Sequence, residues 1–246
     1  MFREFRSTSI DLRNPWKGVD VKLMHIDAEP EVIGQRVYIP FTKCQVPTGE
    51  TSPAEPWLFS SPDLLQVDDP NDATWELLPQ GDTGVMPPDN TTRLLEENHI
   101  VMVGDNPDRL LMLGRGETGK IWGTYSSDGG KHFDSPAQWL TYTPGGSDYI
   151  KNPRGSAAPF RVPSTGKYVL LYYNNPADQS GSGRFTMWIS GGTVVPATID
   201  GVDSSVIAWS QPEILLFDPT WIPLTPTSSR DPMVAWPAGS QASGCE

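Results

Sequence analysis

Several residue types are scarce in this sequence, and each scarcity excludes a class of protein. The 246 residues include 2 cysteines and 3 histidines. Two cysteines cannot build a disulfide-dense scaffold, and so few Cys and His residues give no basis for a zinc site. No run of 18 apolar residues, which a membrane-spanning helix would need, is present. We therefore expect no metal, no cofactor and no membrane span.

Positive charge is scarce as well. The chain has 18 Lys and Arg against 30 Asp and Glu, a net charge of −12. Its basic residues form no stripe that could follow a phosphate backbone, which argues against nucleic acid as the main partner. The first residues are charged and polar and hold no apolar stretch typical of a secretory signal. The compartment stays open, and we expect an extracellular location if a signal precedes this chain.

Proline and glycine, in contrast, are abundant. The 25 Pro and 23 Gly are spread along the whole chain and not pooled in one tract. Because proline interrupts helices and both residue types favour turns, this distribution excludes a helical bundle and favours short strands joined by many turns. The sequence therefore predicts an all-β fold.

A faint repeat organises the chain. Ser61, Ser126 and Ser190 each follow an aromatic-rich segment and precede a predicted tight turn, and they lie 65 and 64 positions apart. A strongly apolar segment precedes each of them, at 36–41, 109–114 and 167–173. Each unit is typical of three or four antiparallel strands, and sheets that recur at constant spacing favour radial stacking, as in a β-propeller.

These spacings give a domain prediction. We expect one propeller domain over 1–246, with three blades in 35–210. Residues 1–34 are predicted to be the tail of an earlier blade and 211–246 the start of a later one. Because three blades and two partial ones do not close a ring, we expect the ring to be incomplete in this chain. The alternative is that irregular terminal blades close a smaller ring.

The middle turn has the most specific motif. Residues 126–133, SSDGGKHF, fit the pattern Ser-x-Asp-x-Gly-x-x-aromatic. In such a hairpin the Asp128 carboxylate accepts backbone N–H bonds, Gly130 takes a positive φ, and Phe133 packs between sheets. The segments at Ser61-Pro62-Asp63 and Ser190-Gly191-Gly192 are similar, which predicts degenerate copies of the same turn.

This motif resembles the Asp-box, or BNR repeat, a structural hairpin of the sialidase (neuraminidase) superfamily. Around it, 94–133 and 153–192 resemble two consecutive blades of that family, and 209–219 resembles a further strand. The resemblance covers roughly 35–220 and rests on the order and spacing of the segments. It implies a propeller that acts as an exo-acting glycoside hydrolase on a terminal acidic sugar of a glycan or glycoconjugate.

The resemblance also implies roles for individual residues. Glu97 matches the glutamate that activates a tyrosine nucleophile, with Glu96 as its replacement if the alignment shifts by one residue. Arg115 and Arg184 match two of three arginines that bind the sugar carboxylate, and Arg154 is a further expected substrate contact. Ser126, Asp128, Gly130 and Phe133 are expected to be structural. The first arginine, the aspartate acid/base and the tyrosine have no convincing match, so the chain is expected to supply about half of an active site.

Two alternatives remain at this point. A propeller without catalysis could bind glycan or protein through its 9 Trp and 7 Tyr side chains. The same enzyme class could also act on a different sugar, such as a uronic or neutral glycoside, because an arginine pair selects a carboxylate without naming the sugar that carries it.

Overall fold

The described part of the chain consists of strands and turns with one short 3₁₀ helix. The computed structural model describes residues 21–23, 28–45, 54–88, 95–116, 118–175, 184, 186–199 and 202–217. These residues form three antiparallel sheets, each built from consecutive strands. The 3₁₀ helix spans Pro70–Asp72. No helix in these ranges is long and apolar enough to cross a membrane. The predicted all-β class is confirmed.

The first sheet has five strands in four side-by-side positions, because two of them share one edge of a third. Its strands are β1 Val21–Leu23, β2 Glu31–Ile33, β3 Arg36–Gln45, β4 Ala54–Ser61 and β5 Glu76–Leu78. β3 pairs with β4 along one edge, and with both β1 and β2 along the other. The predicted strand at 36–41 is therefore confirmed. β1 and β2 pair with β3, so these two segments belong to the first sheet. We had predicted that 1–34 is the tail of an earlier blade, and these two segments do not fit that prediction.

The second sheet is a regular four-stranded meander. Its strands are β6 Leu95–Met102, β7 Leu110–Gly116, β8 Ile121–Ser126 and β9 Gln138–Trp139. Every residue of β7 is buried, as the apolar segment 109–114 predicts. Successive side chains of a strand point to opposite faces of its sheet. Leu110 and Met112 accordingly join the core shared with the first sheet, while Leu111 and Leu113 join the core shared with the third.

The third sheet has a long central strand. Its strands are β10 Ala158–Arg161, β11 Tyr168–Tyr172, β12 Thr186–Ile199, β13 Val202–Trp209 and β14 Glu213–Phe217. β11 pairs with one edge of β12, and both β13 and β14 pair with the other. The third sheet thus has four side-by-side strand positions, like the other two. β14 pairs with β12, so Glu213–Phe217 belong to this sheet. We had predicted that 211–246 is the start of a later blade, and this segment does not fit that prediction.

The predicted turn at Ser190-Gly191-Gly192 is wrong. These residues lie within β12 and pair with β11, and Gly192 also pairs with Trp209. A Cβ atom on Gly192 would lie 2.8 Å from side-chain atoms of both Ile207 and Trp209. Gly192 is therefore required by close packing against a neighbouring strand, a requirement that cannot be told from a turn in the sequence alone.

The turn at residues 126–133 has the predicted internal hydrogen bonds. Ser126 Oγ accepts from the backbone N–H of Gly130 at 2.9 Å, and Asp128 Oδ1 accepts from that of His132 at 2.9 Å. Gly130 has φ +86°, and Phe133 packs against the core between the first two sheets. Ser61 and Asp63 hydrogen-bond to each other at 3.0 Å, as Ser126 and Asp128 do at 2.9 Å. The similarity of these two turns is thus confirmed.

The first strand of the second sheet contacts both other sheets. β6 contacts β10 in the third sheet and β2, β3 and β4 in the first. Side chains that project from the ends of β6 are therefore placed near the junction of all three sheets. The predicted site residue Glu97 lies on this strand.

Candidate functional site

Glu97 lies on a bulge in β6. Glu96 pairs with Arg115 and His99 pairs with Leu113, so Glu97 and Asn98 together oppose Gly114. Glu97 has φ +49°, and the only other non-glycine residue of the described part with a positive φ is Asn174. A bulge redirects a side chain out of the regular alternation, and a residue held in the left-handed region marks a place that its surroundings determine strongly.

Gly114 lets the bulge approach β7. A Cβ atom on Gly114 would lie 2.7 Å from the carbonyl oxygen of Glu96 and 2.7 Å from the ring of Trp122. Neither of these atoms can retreat easily, because one belongs to the backbone and the other to a fully buried indole. The glycine before Arg115 is therefore part of the arrangement that sets the position of both glutamates.

Asn98 attaches the bulge to the first sheet. Its side-chain oxygen accepts from Thr42 Oγ1 at 3.2 Å, and its Nδ2 donates to the carbonyl of Trp57 at 3.3 Å. Asn98 is buried. A buried amide whose donor and acceptor both have partners fixes the segment that carries it. The Asn98 side chain thus anchors the bulge to the first sheet, while the Glu97 side chain projects from the bulge.

Arg115 is held between two consecutive glutamates. Its Nη1 donates to Glu97 Oε1 at 2.5 Å, and its Nη2 donates to Glu96 Oε2. Arg115 is 8% exposed and Glu96 is fully buried. A guanidinium is a rigid fork of donors, and a contact on each terminal nitrogen fixes its plane. The structure brings the predicted residues Glu97 and Arg115 together and adds Glu96 as a second partner.

Arg184 and Arg154 also meet. Arg184 Nη2 donates to the backbone carbonyl of Arg154. A Cβ atom on the intervening Gly155 would lie 3.2 Å from Arg184 Nε and 3.0 Å from the ring of Tyr173. Asn152 orders this loop, since its side chain donates to the carbonyl of Gly155 at 2.5 Å and accepts from the N–H of Tyr173 at 3.1 Å.

His99 connects the two groups of residues. Its Nε2 lies 3.4 Å from Ser156 Oγ, one residue after Gly155 in the loop that contacts Arg184. Burial lowers the pKa of His99 to about 4 because an apolar environment disfavours the imidazolium. His99 is therefore neutral at pH 7 and serves as a hydrogen-bonding link between β6 and this loop.

Tyr173 is the functional candidate that the sequence missed. Five other tyrosines use their hydroxyls in hydrogen bonds. Tyr38 bonds to Gly129, Tyr125 to Ile207, Tyr168 to Met102 and Gly104, and Tyr142 and Tyr172 to each other. The ring of Tyr173 lies instead beside Gly155 and Arg184. Tyr173 comes before Arg184 in the sequence, which is not the order in which the family carries its tyrosine, so the resemblance did not identify it. The fold brings the two residues together.

The described residues hold no evident metal site. No group of three or more His, Cys, Asp and Glu side chains in these ranges is arranged to bind an ion. The ordered polar groups of the site are instead cations, carboxylates and a phenol. Such a set suits recognition of an anionic organic ligand by paired hydrogen bonds, with a carboxylate nearby that can take a proton.

Comparisons with known proteins give similarities to part of larger structures. No family model matches the chain, and no curated protein matches it. The leech intramolecular trans-sialidase, complexed with 2,7-anhydro-Neu5Ac, is 16% identical with a TM-score of 0.46 over 75% of this chain. The intramolecular trans-sialidase from Ruminococcus gnavus, complexed with oseltamivir carboxylate, is 18% identical with a TM-score of 0.46 over 76% of this chain. This chain covers 24% and 33% of those two proteins.

Proposed function

We propose that this chain is part of a glycoside hydrolase of the sialidase type, which cleaves a terminal anionic sugar from a glycan. The observation that carries the proposal is the contact of Arg115 with Glu97 on the bulge of β6. A nearly buried cation, fixed by two carboxylates, is organised before any ligand arrives. Such preorganisation is what a site for a charged substrate requires.

The arrangement of the sheets supports a propeller. Propeller blades are four-stranded sheets that surround a central channel. The three sheets described here each have four side-by-side strand positions, and β6 contacts strands of both neighbouring sheets. In the proposed propeller, the first strands line the axis, the turn at Ser126–Phe133 is an Asp-box on the outside, and Glu97 and Arg115 face the channel.

The proposed chemistry follows from the charge of the substrate. A carboxylate nucleophile would be repelled by an anionic sugar, whereas a neutral tyrosine is not, and sialidases use a tyrosine. Its phenolic oxygen forms a bond to the anomeric carbon as the glycosidic C–O bond breaks, and a carboxylic acid protonates the departing oxygen. Water then releases the sugar with retained configuration.

The residues divide into three proposed roles. Glu97 accepts the phenolic proton. Arg115 and Arg184 bind the sugar carboxylate with paired donors, and Arg154 contacts the substrate from the loop that Arg184 holds. Glu96 positions Arg115 without touching the substrate, and Tyr173 forms a wall beside Arg184. The tyrosine nucleophile and the aspartate acid/base are left without an assigned residue.

The test is hydrolysis of an aryl glycoside of N-acetylneuraminic acid by the hydrolase of which this chain is the proposed part. We expect Glu97→Gln to lower kcat by about 100-fold or more, the range typical of a lost general base. Arg115→Lys should raise KM, because an ammonium cannot replace a paired fork of donors. Arg161→Lys is the matched control, since Arg161 pairs with Asp105 on the surface away from these residues. Proton NMR of the first product should show the retained anomer.

Two outcomes would overturn hydrolysis. Binding of N-acetylneuraminic acid without turnover, lost in Arg115→Ala, would establish the non-catalytic glycan-binding alternative. If neither binding nor turnover is observed while the chain shows a cooperative unfolding transition, both the hydrolase and the binding module are excluded.

A further inference from the structure

A second cleft lies beside the turn that joins β7 to β8. It has a volume of about 530 Å³ and is bounded by this turn, by residues 142–151 and by Asn174 and Gln211. Cavities of this size are typical of sites for small organic ligands. The residues that the argument uses are Thr118, Lys120, Tyr149, Lys151, Asn174 and Gln211. We refer to this site as the lysine cleft.

Two lysines face each other across the lysine cleft. Lys120 and Lys151 are partners in an isolated antiparallel bridge, so their side chains leave the backbone on the same face. Like charges placed opposite each other destabilise a β pair. Among the described residues, the cleft lining holds one carboxylate, Asp148, against these two ammonium groups. In a chain of net charge −12, this local excess of positive charge is suited to an anion.

Aromatic rings fix the position of Lys120. Its Nζ lies 4.1 Å from the ring centroid of Tyr149 and 5.6 Å from that of Trp139. Tyr149 is 41% exposed. Cation–π contacts of this kind hold an ammonium group in place while its remaining donors stay available to a ligand. An exposed tyrosine in the same lining as amide side chains offers both an apolar ring and polar groups. A sugar ring has complementary apolar and polar sides.

Two local features indicate that the lysine cleft is built for a ligand. The hydroxyl of Thr118 is buried and has no hydrogen-bond partner among the described residues. Such orphaned groups are rare in folded proteins. Asn174 also lines the cleft, and its φ of +45° lies in the left-handed region, which asparagine tolerates better than most residues.

We propose that the lysine cleft, which adjoins the loop that contacts Arg184, binds an anionic sugar unit of a glycan through its own residues. Lysine ammonium groups are point charges without the planar geometry of a guanidinium. The lysine cleft should therefore accept a carboxylated or a sulfated sugar, while Thr118, Asn174 and Gln211 hydrogen-bond to the sugar hydroxyls. The proposal requires no turnover, so it can hold whether or not the chain is a hydrolase.

The test is calorimetric titration of the full chain carrying Arg115→Lys, which removes paired binding at the arginine site. The probes are glucuronic acid, N-acetylglucosamine 6-sulfate, neutral N-acetylglucosamine and sodium sulfate. We expect the two anionic sugars to bind, with Kd rising at least fivefold in Lys120→Gln and in Lys151→Gln. Lys167→Gln, an exposed lysine in the turn between β10 and β11, is the matched control and should leave Kd unchanged.

Further variants separate a ligand contact from a structural effect. Lys120→Arg keeps the charge and should retain most of the affinity, and Thr118→Val should weaken binding of the sugars without changing the melting temperature by more than a degree or two. Equal affinity for neutral N-acetylglucosamine, or affinity for sodium sulfate equal to that for the sulfated sugar, would overturn the proposal. So would unchanged binding in both glutamine variants.

Discussion

Glu97 contacts Arg115 through a backbone conformation that glutamate rarely adopts. The two side chains lie 2.5 Å apart, between Glu97 Oε1 and Arg115 Nη1, while Glu97 has φ +49°. A side chain in the regular alternation of β6 would not be redirected in this way. The strained backbone at Glu97 therefore sets the position of its carboxylate. Strained residues are commonly retained at functional sites for such a reason.

Gly114→Ala tests whether β7 supports this bulge. The added methyl group would lie 2.7 Å from both the Glu96 carbonyl and the ring of Trp122. Because overpacking of this kind typically costs about 1–3 kcal/mol, we expect urea denaturation to give a free energy of unfolding lower by that amount. Gly116→Ala is the control on the same strand, since its nearest new contact would be 3.4 Å away. Equal stability of the two variants would contradict the proposed tight approach.

Gly155→Ala tests the loop that contacts Arg184. The new Cβ would lie 3.0 Å from Tyr173 and 3.2 Å from Arg184 Nε, so one of the two side chains must move. We expect affinity for N-acetylneuraminic acid to fall about tenfold while the melting temperature changes little, because both side chains are only partly buried. Gly191→Ala, whose Cβ would have 3.8 Å to its nearest neighbour, should bind like the parent. A full loss of folding in Gly155→Ala would show that the loop is structural instead.

His99 predicts a pH dependence of stability. Its pKa is about 4 in the folded protein against 6.5 for an unperturbed histidine, so the unfolded chain takes up a proton first as the pH falls. Stability from this group is therefore complete above about pH 6.5 and declines towards pH 4, by up to about 3 kcal/mol. We expect His99→Gln to reduce the difference in unfolding free energy between pH 7 and pH 4.5. An identical pH profile for parent and variant would exclude burial of the imidazole as the cause.

The strands could be predicted because their sequences contain the relevant pattern. The segments 36–41, 109–114 and 167–173 are rich in apolar residues, and most of each lies in a strand of the structure. The turn at Ser126 was also predictable, since Asp128 and Gly130 act within a few residues of each other. The turn predicted at Ser190 was wrong because Gly192 is required by close packing against Ile207 and Trp209, which lie in another strand.

The site could be predicted only in part. Glu97 and Arg115 were found from the resemblance alone, and in the structure the antiparallel pairing of β6 and β7 brings them together. The bulge between Glu96 and His99 was not predicted, because one extra residue leaves no signal in a short polar segment. Lys120 and Lys151 are 31 positions apart, and Tyr173 reaches Arg184 across a loop. Such juxtapositions depend on tertiary packing, which local sequence patterns do not specify.

A double-mutant cycle on Arg115 and Arg184 tests the central claim most directly. The measurement is the Kd for N-acetylneuraminic acid in the parent, in Arg115→Ala, in Arg184→Ala and in the double variant. If both guanidinium groups bind one sugar carboxylate, the two effects are not additive, and we expect a coupling energy of about 1 kcal/mol or more. Additive effects, within about 0.5 kcal/mol, would show that the two arginines serve separate places and would contradict the account.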